Sequence, residues 1–164
     1  MYRSLISALL ACALPLAVAA QDTAPVAGAP ALTIEDAWVR ALPPVQKTTA
    51  AYLTLYNPAS AGVEITGATS PIAAQVEIHT TREVDGYTRM ERLDRLTVGP
   101  GDRLLLEPGG THLMLLGLER MPLPGESVII CLQPAAGPAV CADAAVRRSE
   151  SDQPAHDHHQ HHSK

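Results

Sequence analysis

Short runs of β-type composition, separated by turn residues, follow one another along most of the chain. No segment shows the 3.6-residue apolar period of an amphipathic helix. Gly, Pro, Asn and Asp fill nearly every gap between the runs, as in NPASAG, VDG and PLPGE. The predicted strand-forming runs are residues 32–41, 50–57, 63–70, 75–83, 87–98, 103–118, 127–133 and 139–146.

This pattern predicts an all-β protein with seven to nine short strands. Turns at intervals of about ten residues favour an antiparallel Greek-key β-sandwich, or a small barrel, over a parallel α/β sheet. The chain of 164 residues is long enough for one such domain, which we place at residues 32–148.

The two ends of the chain differ from this central domain. Residues 1–20 hold one Arg, an apolar stretch and small residues before an A-x-A type cleavage site near Ala20, which predicts a secretory signal peptide. A competing interpretation takes the sequence LLAC, ending at Cys12, as a lipoprotein cleavage signal. Residues 21–31 form a Pro/Ala/Gly linker, and the polar tail 149–164 is expected to be disordered.

The charge balance bears on the partners of the exported protein. The formal net charge is −5, and cleavage after residue 20 would remove Arg3 and no acid, leaving −6. We therefore expect no nucleic-acid partner and no attraction to anionic lipid. We expect no membrane span, because no segment of the mature chain has the roughly 20 apolar residues that a span needs. We also expect a monomer.

Two cysteines remain after export, Cys131 and Cys141. Residues 127–146 have the pattern of a strand, a Pro/Gly turn and a second strand. A hairpin centred on Ala136 would place the two cysteines directly opposite each other. An oxidising compartment then favours a disulfide between them. The alternative is a pair of small buried thiols.

The sequence GGTHLMLLGLER, residues 109–120, is a nearly continuous apolar run that carries a histidine and a methionine. His112 and Met114 are two residues apart, so a strand would direct both to one face and Leu113 to the other. Between residues 21 and 155 the chain has only one other histidine, His79, and two other methionines, Met90 and Met121.

A predicted hairpin brings His79 and Met90 to one face as well. Asp85-Gly86 is a strong two-residue turn signal, and a turn there pairs Thr81 with Met90 and His79 with Arg92. Diagonal neighbours of this kind lie roughly 7 to 8 Å apart, within reach of two long side chains. The sequence thus predicts a possible metal site with the ligands His79, Met90, His112 and Met114.

The donor atoms indicate which metal such a site would hold. Neutral, soft thioethers favour copper(I) and contribute little to zinc, calcium or magnesium binding. With no Asp, Glu or Cys among the ligands, the site would keep the single positive charge of its metal. The alternative interpretation is structural, since methionines often fill cores and an isolated histidine in a strand is usually just hydrogen-bonded.

The four positions also carry a family resemblance. The spacing His79-x10-Met90-x21-His112-x-Met114 resembles the H-x10-M-x21-H-x-M pattern of the PCu(A)C family of periplasmic copper(I) chaperones. The segments around these four positions also resemble sequences of that family, so the resemblance spans roughly residues 33–133. It implies a cupredoxin-like β-sandwich in the periplasm that delivers copper for assembly of the binuclear copper centre of cytochrome c oxidase. The implied acceptor is oxidase subunit II or a thiol-bearing assembly factor.

The tail offers a second candidate site. Five histidines lie within seven residues, a density that suits copper(II) or zinc. They are His156, His158, His159, His161 and His162. The alternative is a purification tag or a merely solvated tail, although Asp157 and Gln160 interrupt the run.

Three other function classes make different demands on the protein. A copper sink for resistance would use the same four ligands and differ only in not transferring the metal. A blue-copper electron carrier would need a thiolate with two His and a weak axial Met, and neither cysteine is followed by a nearby His before the tail. A metal-dependent hydrolase would need an acid/base partner, and Glu77, Glu83 and Glu91 do not form an evident one. We expect a protein that is not an enzyme.

Overall fold

The chain folds into short strands connected by turns, as seen in a computed structural model that describes residues 32–149. The described residues form ten strands. They are β1 (Thr33–Arg40), β2 (Thr48–Tyr56), β3 (Val63–Thr69), β4 (Gln75–Val84), β5 (Tyr87–Leu93), β6 (Leu96–Val98), β7 (Arg103–Leu106), β8 (His112–Leu116), β9 (Ser127–Pro134) and β10 (Val140–Arg147). The predicted all-β sandwich is confirmed.

Two of the eight predicted runs are each divided into two strands. The run 87–98 breaks between β5 and β6, and the run 103–118 breaks at a turn between β7 and β8. β7 and β8 both pair with β2, at residues 53–56 and 48–51 respectively. The two strands therefore follow one edge of β2 in succession, and the turn that separates them projects from the middle of that edge.

Hydrogen bonding joins the strands in the order β5-β4-β8-β2-β1-β10-β9-β3-β6. Because β3 also pairs with β4, this path closes on itself like a barrel. One pair departs from the antiparallel expectation, since β1 runs parallel to β10. The two strands lie at opposite ends of the domain's sequence, so no hairpin turn imposes an antiparallel direction on them.

The interior of this closed sheet is aliphatic. Residues from nine of the strands, all except β5, contribute to one core cluster, in which the largest side chains are almost fully buried. These side chains are Leu32, Leu53, Leu55, Ile65, Leu106, Leu113, Leu115, Ile130 and Leu132. Leu113 and Leu115 both belong to β8, so this strand directs its odd-numbered residues inward.

The cysteine pair is found where the sequence places it. Cys131 of β9 lies directly opposite Cys141 of β10, and the two form a disulfide. The hairpin centred on Ala136 is thereby confirmed, and the alternative of two buried thiols is wrong.

Three predicted segments fall wholly or almost wholly outside the described residues. They are the signal peptide 1–20, the linker 21–31 and the tail 149–164, of which only Ser149 is described. Within residues 32–149, no helix is long and apolar enough to cross a membrane.

We expect the Cys131–Cys141 disulfide to stabilise the domain by limiting the freedom of its unfolded chain. The cysteines are ten residues apart, and closing a loop of that size contributes about 2–3 kcal/mol. Denaturant unfolding of the oxidised protein and of a double variant, Cys131→Ala with Cys141→Ala, measures this difference. Equal unfolding midpoints and slopes for the two proteins would show that the bond adds nothing to stability.

Candidate metal centre

The candidate ligands lie where β4, β5 and β8 meet, on the face of the sheet that points away from the core. β8 directs Leu113 and Leu115 inward, so His112 and Met114 point to the opposite face. β4 pairs with both neighbours at this point, with Ile78 facing Leu113 and Leu93. Burial of the leucines on the inner face thus determines that His112 and Met114 lie on the outer face.

The turn before β8 fixes the position of His112. Its residues 107–110 close with a hydrogen bond from the Gly110 N–H to the Glu107 carbonyl, at 3.1 Å. Pro108 and Gly109 occupy the two central positions, and Gly109 has a φ of 82°. This is the arrangement of a type II turn, which requires a residue such as glycine at its third position.

His112 is held in a single tautomer by this turn. His112 is 5% exposed, and its Nδ1 lies 2.9 Å from the Gly110 carbonyl oxygen. A carbonyl oxygen can only accept, so Nδ1 of the neutral ring carries the proton and Nε2 keeps the electron pair. The same carbonyl also accepts from the Thr81 N–H of β4, which ties the turn to the neighbouring strand.

His79 lies directly opposite His112 in the strand register. The two ring centroids are 6.1 Å apart. Nε2 of His79 is 2.8 Å from a carboxylate oxygen of Glu77, whereas its Nδ1 is buried with no hydrogen-bond partner. An unpartnered buried nitrogen is costly in a folded protein and calls for an explanation. One explanation is that this nitrogen keeps its electron pair available for a metal ion.

The two methionines occupy the neighbouring register positions. Met90 of β5 faces Thr81, which confirms the predicted hairpin and places Met90 diagonally from His79. The Asp85-Gly86 turn has positive φ at both residues, as its type requires. Met114 faces Glu77 on the other side of His79. Met90 is 55% exposed, and Met114 is half-buried.

The four candidate ligands are therefore adjacent in the sheet, coming from three neighbouring strands. β4 supplies His79, β5 supplies Met90, and β8 supplies both His112 and Met114. This arrangement offers two imidazole nitrogens and two thioethers at one surface location. No cluster of three or more His, Cys, Asp or Glu side chains suited to a metal occurs within residues 32–149.

Aromatic side chains lie next to the imidazole of His112 on the side away from His79. The ring centroids of Tyr52 and His112 are 6.2 Å apart, and Trp38 packs against Tyr52 at 4.4 Å. Trp38 reaches this position through a bulge in β1, where Asp36 adopts a φ of 51°. Asp is one of the few non-glycine residues that tolerates a positive φ, so no glycine marks this bulge within β1.

Glu77 is the residue near this site that sequence reasoning did not assign. Its carboxylate contacts His79 and also accepts from Arg92 Nη1 at 2.8 Å. The predicted ligand set contains no carboxylate, and Glu77 lies beside that set without being one of the four ligands. The available signal was the i, i+2 spacing of Glu77 and His79, which puts both on one face of a strand.

Comparisons with known proteins agree with this architecture. In Deinococcus radiodurans, copper(I)-bound DR1885 is 35% identical, with a TM-score of 0.59 and coverage of 76% of this chain and 85% of that one. The copper-bound PCuAC domain from PmoF2 is 24% identical, with a TM-score of 0.62 over 74% of this chain and 97% of that one. The fold is thus that of the PCuAC domains.

Sequence comparison assigns the family. The family described as "Putative lipoprotein LpqE-like" matches residues 32–146, and the chain belongs to this LpqE-like family. The "Putative lipoprotein Lxx21020" of Leifsonia xyli subsp. xyli is 32% identical over 126 residues, which cover 76% of this chain and 74% of that protein.

Exposure predicts the order in which the methionines oxidise. We expect mild peroxide to convert Met90 to its sulfoxide before Met114, with the almost fully buried Met121 reacting last. Peptide mapping by mass spectrometry after timed treatment of the metal-free protein measures the three rates. Faster oxidation of Met121 than of Met90 would contradict this order.

Proposed function

We propose that this protein is an exported copper(I) chaperone that binds the metal through His79, Met90, His112 and Met114. The observation that carries the proposal is the unpartnered, buried Nδ1 of His79, which lies on the strand position opposite His112. A copper(I) ion accepting this electron pair would satisfy the nitrogen. No reaction is assigned to the site, and we propose no enzymatic activity.

The donor set supports copper(I) over harder metals. Thioether sulfur is a soft ligand that copper(I) accepts and that zinc, calcium and magnesium disfavour. Histidine nitrogen completes a set of four neutral donors on neighbouring strands. The relative DR1885, at 35% identity, has been solved with copper(I), which supports the same cargo here.

The disulfide argues against a blue-copper electron carrier. Such a centre needs a cysteine thiolate as ligand. Cys131 and Cys141 are bonded to each other, so residues 32–149 offer no free thiolate in the oxidised protein.

Handover to an acceptor distinguishes a chaperone from a copper sink. Met90 is more than half exposed, so an incoming ligand can approach the proposed site from the β5 side. Neutral donors can be replaced one at a time, and an acceptor with thiolates would bind copper(I) more strongly. The acceptor we propose is subunit II of cytochrome c oxidase, or a thiol-bearing assembly factor for its binuclear copper centre.

The thioether ligands suit an exported protein, because thioethers cannot be lost to disulfide formation in an oxidising compartment. We propose a periplasmic location after cleavage near Ala20. The lipoprotein names of the family and of its relative draw attention to the alternative of lipidation at Cys12. Mass determination of the mature N-terminus distinguishes the two.

We further propose that the five tail histidines capture copper(II) close to the folded domain. Tethering a bound metal to the domain by a short linker raises its effective concentration to roughly millimolar.

Met114→Leu should weaken copper(I) binding and leave the fold intact. The change removes the soft donor but preserves side-chain volume, and such swaps usually cost under about 1.5 kcal/mol of stability. Copper(I) competition with a chromophoric chelator, on protein ending at residue 148, measures the affinity. Met121→Leu is the matched control and should bind like the unaltered protein. Equal affinity of the two variants would remove Met114 from the proposed site.

Copper-loaded protein ending at residue 148 should transfer copper(I) to a reduced dithiol acceptor, such as the soluble domain of oxidase subunit II. The two proteins are mixed, separated by chromatography and analysed for copper. An acceptor with its thiols blocked is the control, and it should remain copper-free. Retention of all the copper by this protein, in the presence of the reduced acceptor, would favour the sink.

A further inference from the structure

We propose that Glu77, held in place by Arg92, is a positioning residue that makes Nδ1 of His79 the copper ligand. This inference rests on the proposed copper(I) site. It goes beyond the ligand set by assigning a role to two residues outside that set and by specifying which nitrogen of each histidine binds the metal.

Both oxygens of the Glu77 carboxylate are engaged. One accepts from His79 Nε2 at 2.8 Å, and the other accepts from Arg92 Nη1 and from Gln75 Nε2, each also at 2.8 Å. The Glu77 side chain is only 14% exposed. A carboxylate held at both oxygens cannot rotate freely, so it presents a fixed acceptor to the imidazole.

The strand register produces this arrangement. Glu77 and His79 are two residues apart in β4 and point to the same face. Arg92 of β5 lies directly opposite His79, close enough to reach past the ring to the carboxylate. Three side chains on two paired strands thus form one hydrogen-bonded group beside the proposed metal position.

The hydrogen bond determines the tautomer of His79. A carboxylate only accepts, so a neutral ring must carry its proton on Nε2 and keep its electron pair on Nδ1. That nitrogen is the buried one without a partner. An acceptor on the remote nitrogen also fixes the orientation of the ring, and with it the direction of the ligating electron pair.

The two histidines consequently use different nitrogens. Gly110 holds the proton of His112 on Nδ1 and leaves Nε2 for the metal, whereas Glu77 does the reverse for His79. A backbone carbonyl fixes one ring and a side chain fixes the other. Substitution can remove only the second of these, so His79 is the ligand whose geometry can be altered without changing a ligand.

The test uses the full chain with ¹⁵N-labelled histidine and three variants. Glu77→Ala removes the acceptor, and Glu77→Gln keeps an oxygen that can accept but removes the charge. Glu91→Ala is the matched control, since this glutamate of the same hairpin pairs with Arg82 and is about half exposed. Ring ¹⁵N shifts, before and after copper(I) addition, report tautomer and ligating nitrogen. Chelator competition reports affinity, and thermal unfolding reports folding.

In the metal-free protein, His79 should appear as a single Nε2–H tautomer, which Glu77→Gln keeps and Glu77→Ala converts to a mixture. Copper(I) should shift Nδ1 of His79 and Nε2 of His112. Loss of a partner of this kind typically lowers metal affinity about ten- to a hundredfold, so Glu77→Ala should bind more weakly by about that factor. Glu77→Gln should lose less, and Glu91→Ala should match the unaltered protein.

Two results would overturn the proposal. One is an unchanged His79 tautomer in folded Glu77→Ala, and the other is copper(I) bound through Nε2 of His79. The failure of the proposed function looks different, because copper(I) would then shift neither histidine ring in any variant. The tautomer measurement on metal-free protein still tests the role of Glu77 in that case.

Discussion

The position of β8 between β2 and β4 is the constraint on which the rest of the site depends. Leu113 and Leu115 are fully buried, and each such side chain contributes about 1.5–3 kcal/mol when it leaves water. A slip of one residue would expose both leucines and turn His112 and Met114 into the core. Hydrophobic burial on the inner face therefore holds the chemistry of the outer face in register.

Register also aligns side chains across five strands. Trp38, Tyr52, His112, His79 and Arg92 follow one another from β1 to β5, linked by strand pairing or ring contact. On the aromatic side of this row, Tyr52 is buried next to His112. On the charged side, Arg92 holds the Glu77 carboxylate beside His79. The two imidazoles lie at the boundary, where one side is packed and the other faces an exposed methionine.

Sulfur occurs in two chemical forms in residues 32–149. The cysteines are directly opposite each other on β9 and β10 and close a covalent bond. The methionines next to the histidines retain thioether sulfur, which has no proton to lose and forms no disulfide. In an oxidising compartment the covalent link and the thioethers are therefore chemically independent.

Local features of the structure were predictable from the sequence alone. The Asp85-Gly86 turn fixes the pairing of Thr81 with Met90, and the turn around Ala136 fixes that of Cys131 with Cys141. In both cases a short connection leaves only one register, so counting residues from the turn is sufficient. The alternation of His112 and Met114 with leucines likewise assigned them to one face without any knowledge of their neighbours.

Contacts between distant segments were decided only by the tertiary structure. His79 faces His112 because β8 inserts between β4 and β2, a pairing 33 residues apart along the chain that no turn specifies. The parallel β1–β10 pair, the bulge at Asp36 and the contact of Arg92 with Glu77 have the same origin. Such contacts depend on how the sheet closes around its core, and burial of the whole core, not a local pattern, selects that closure.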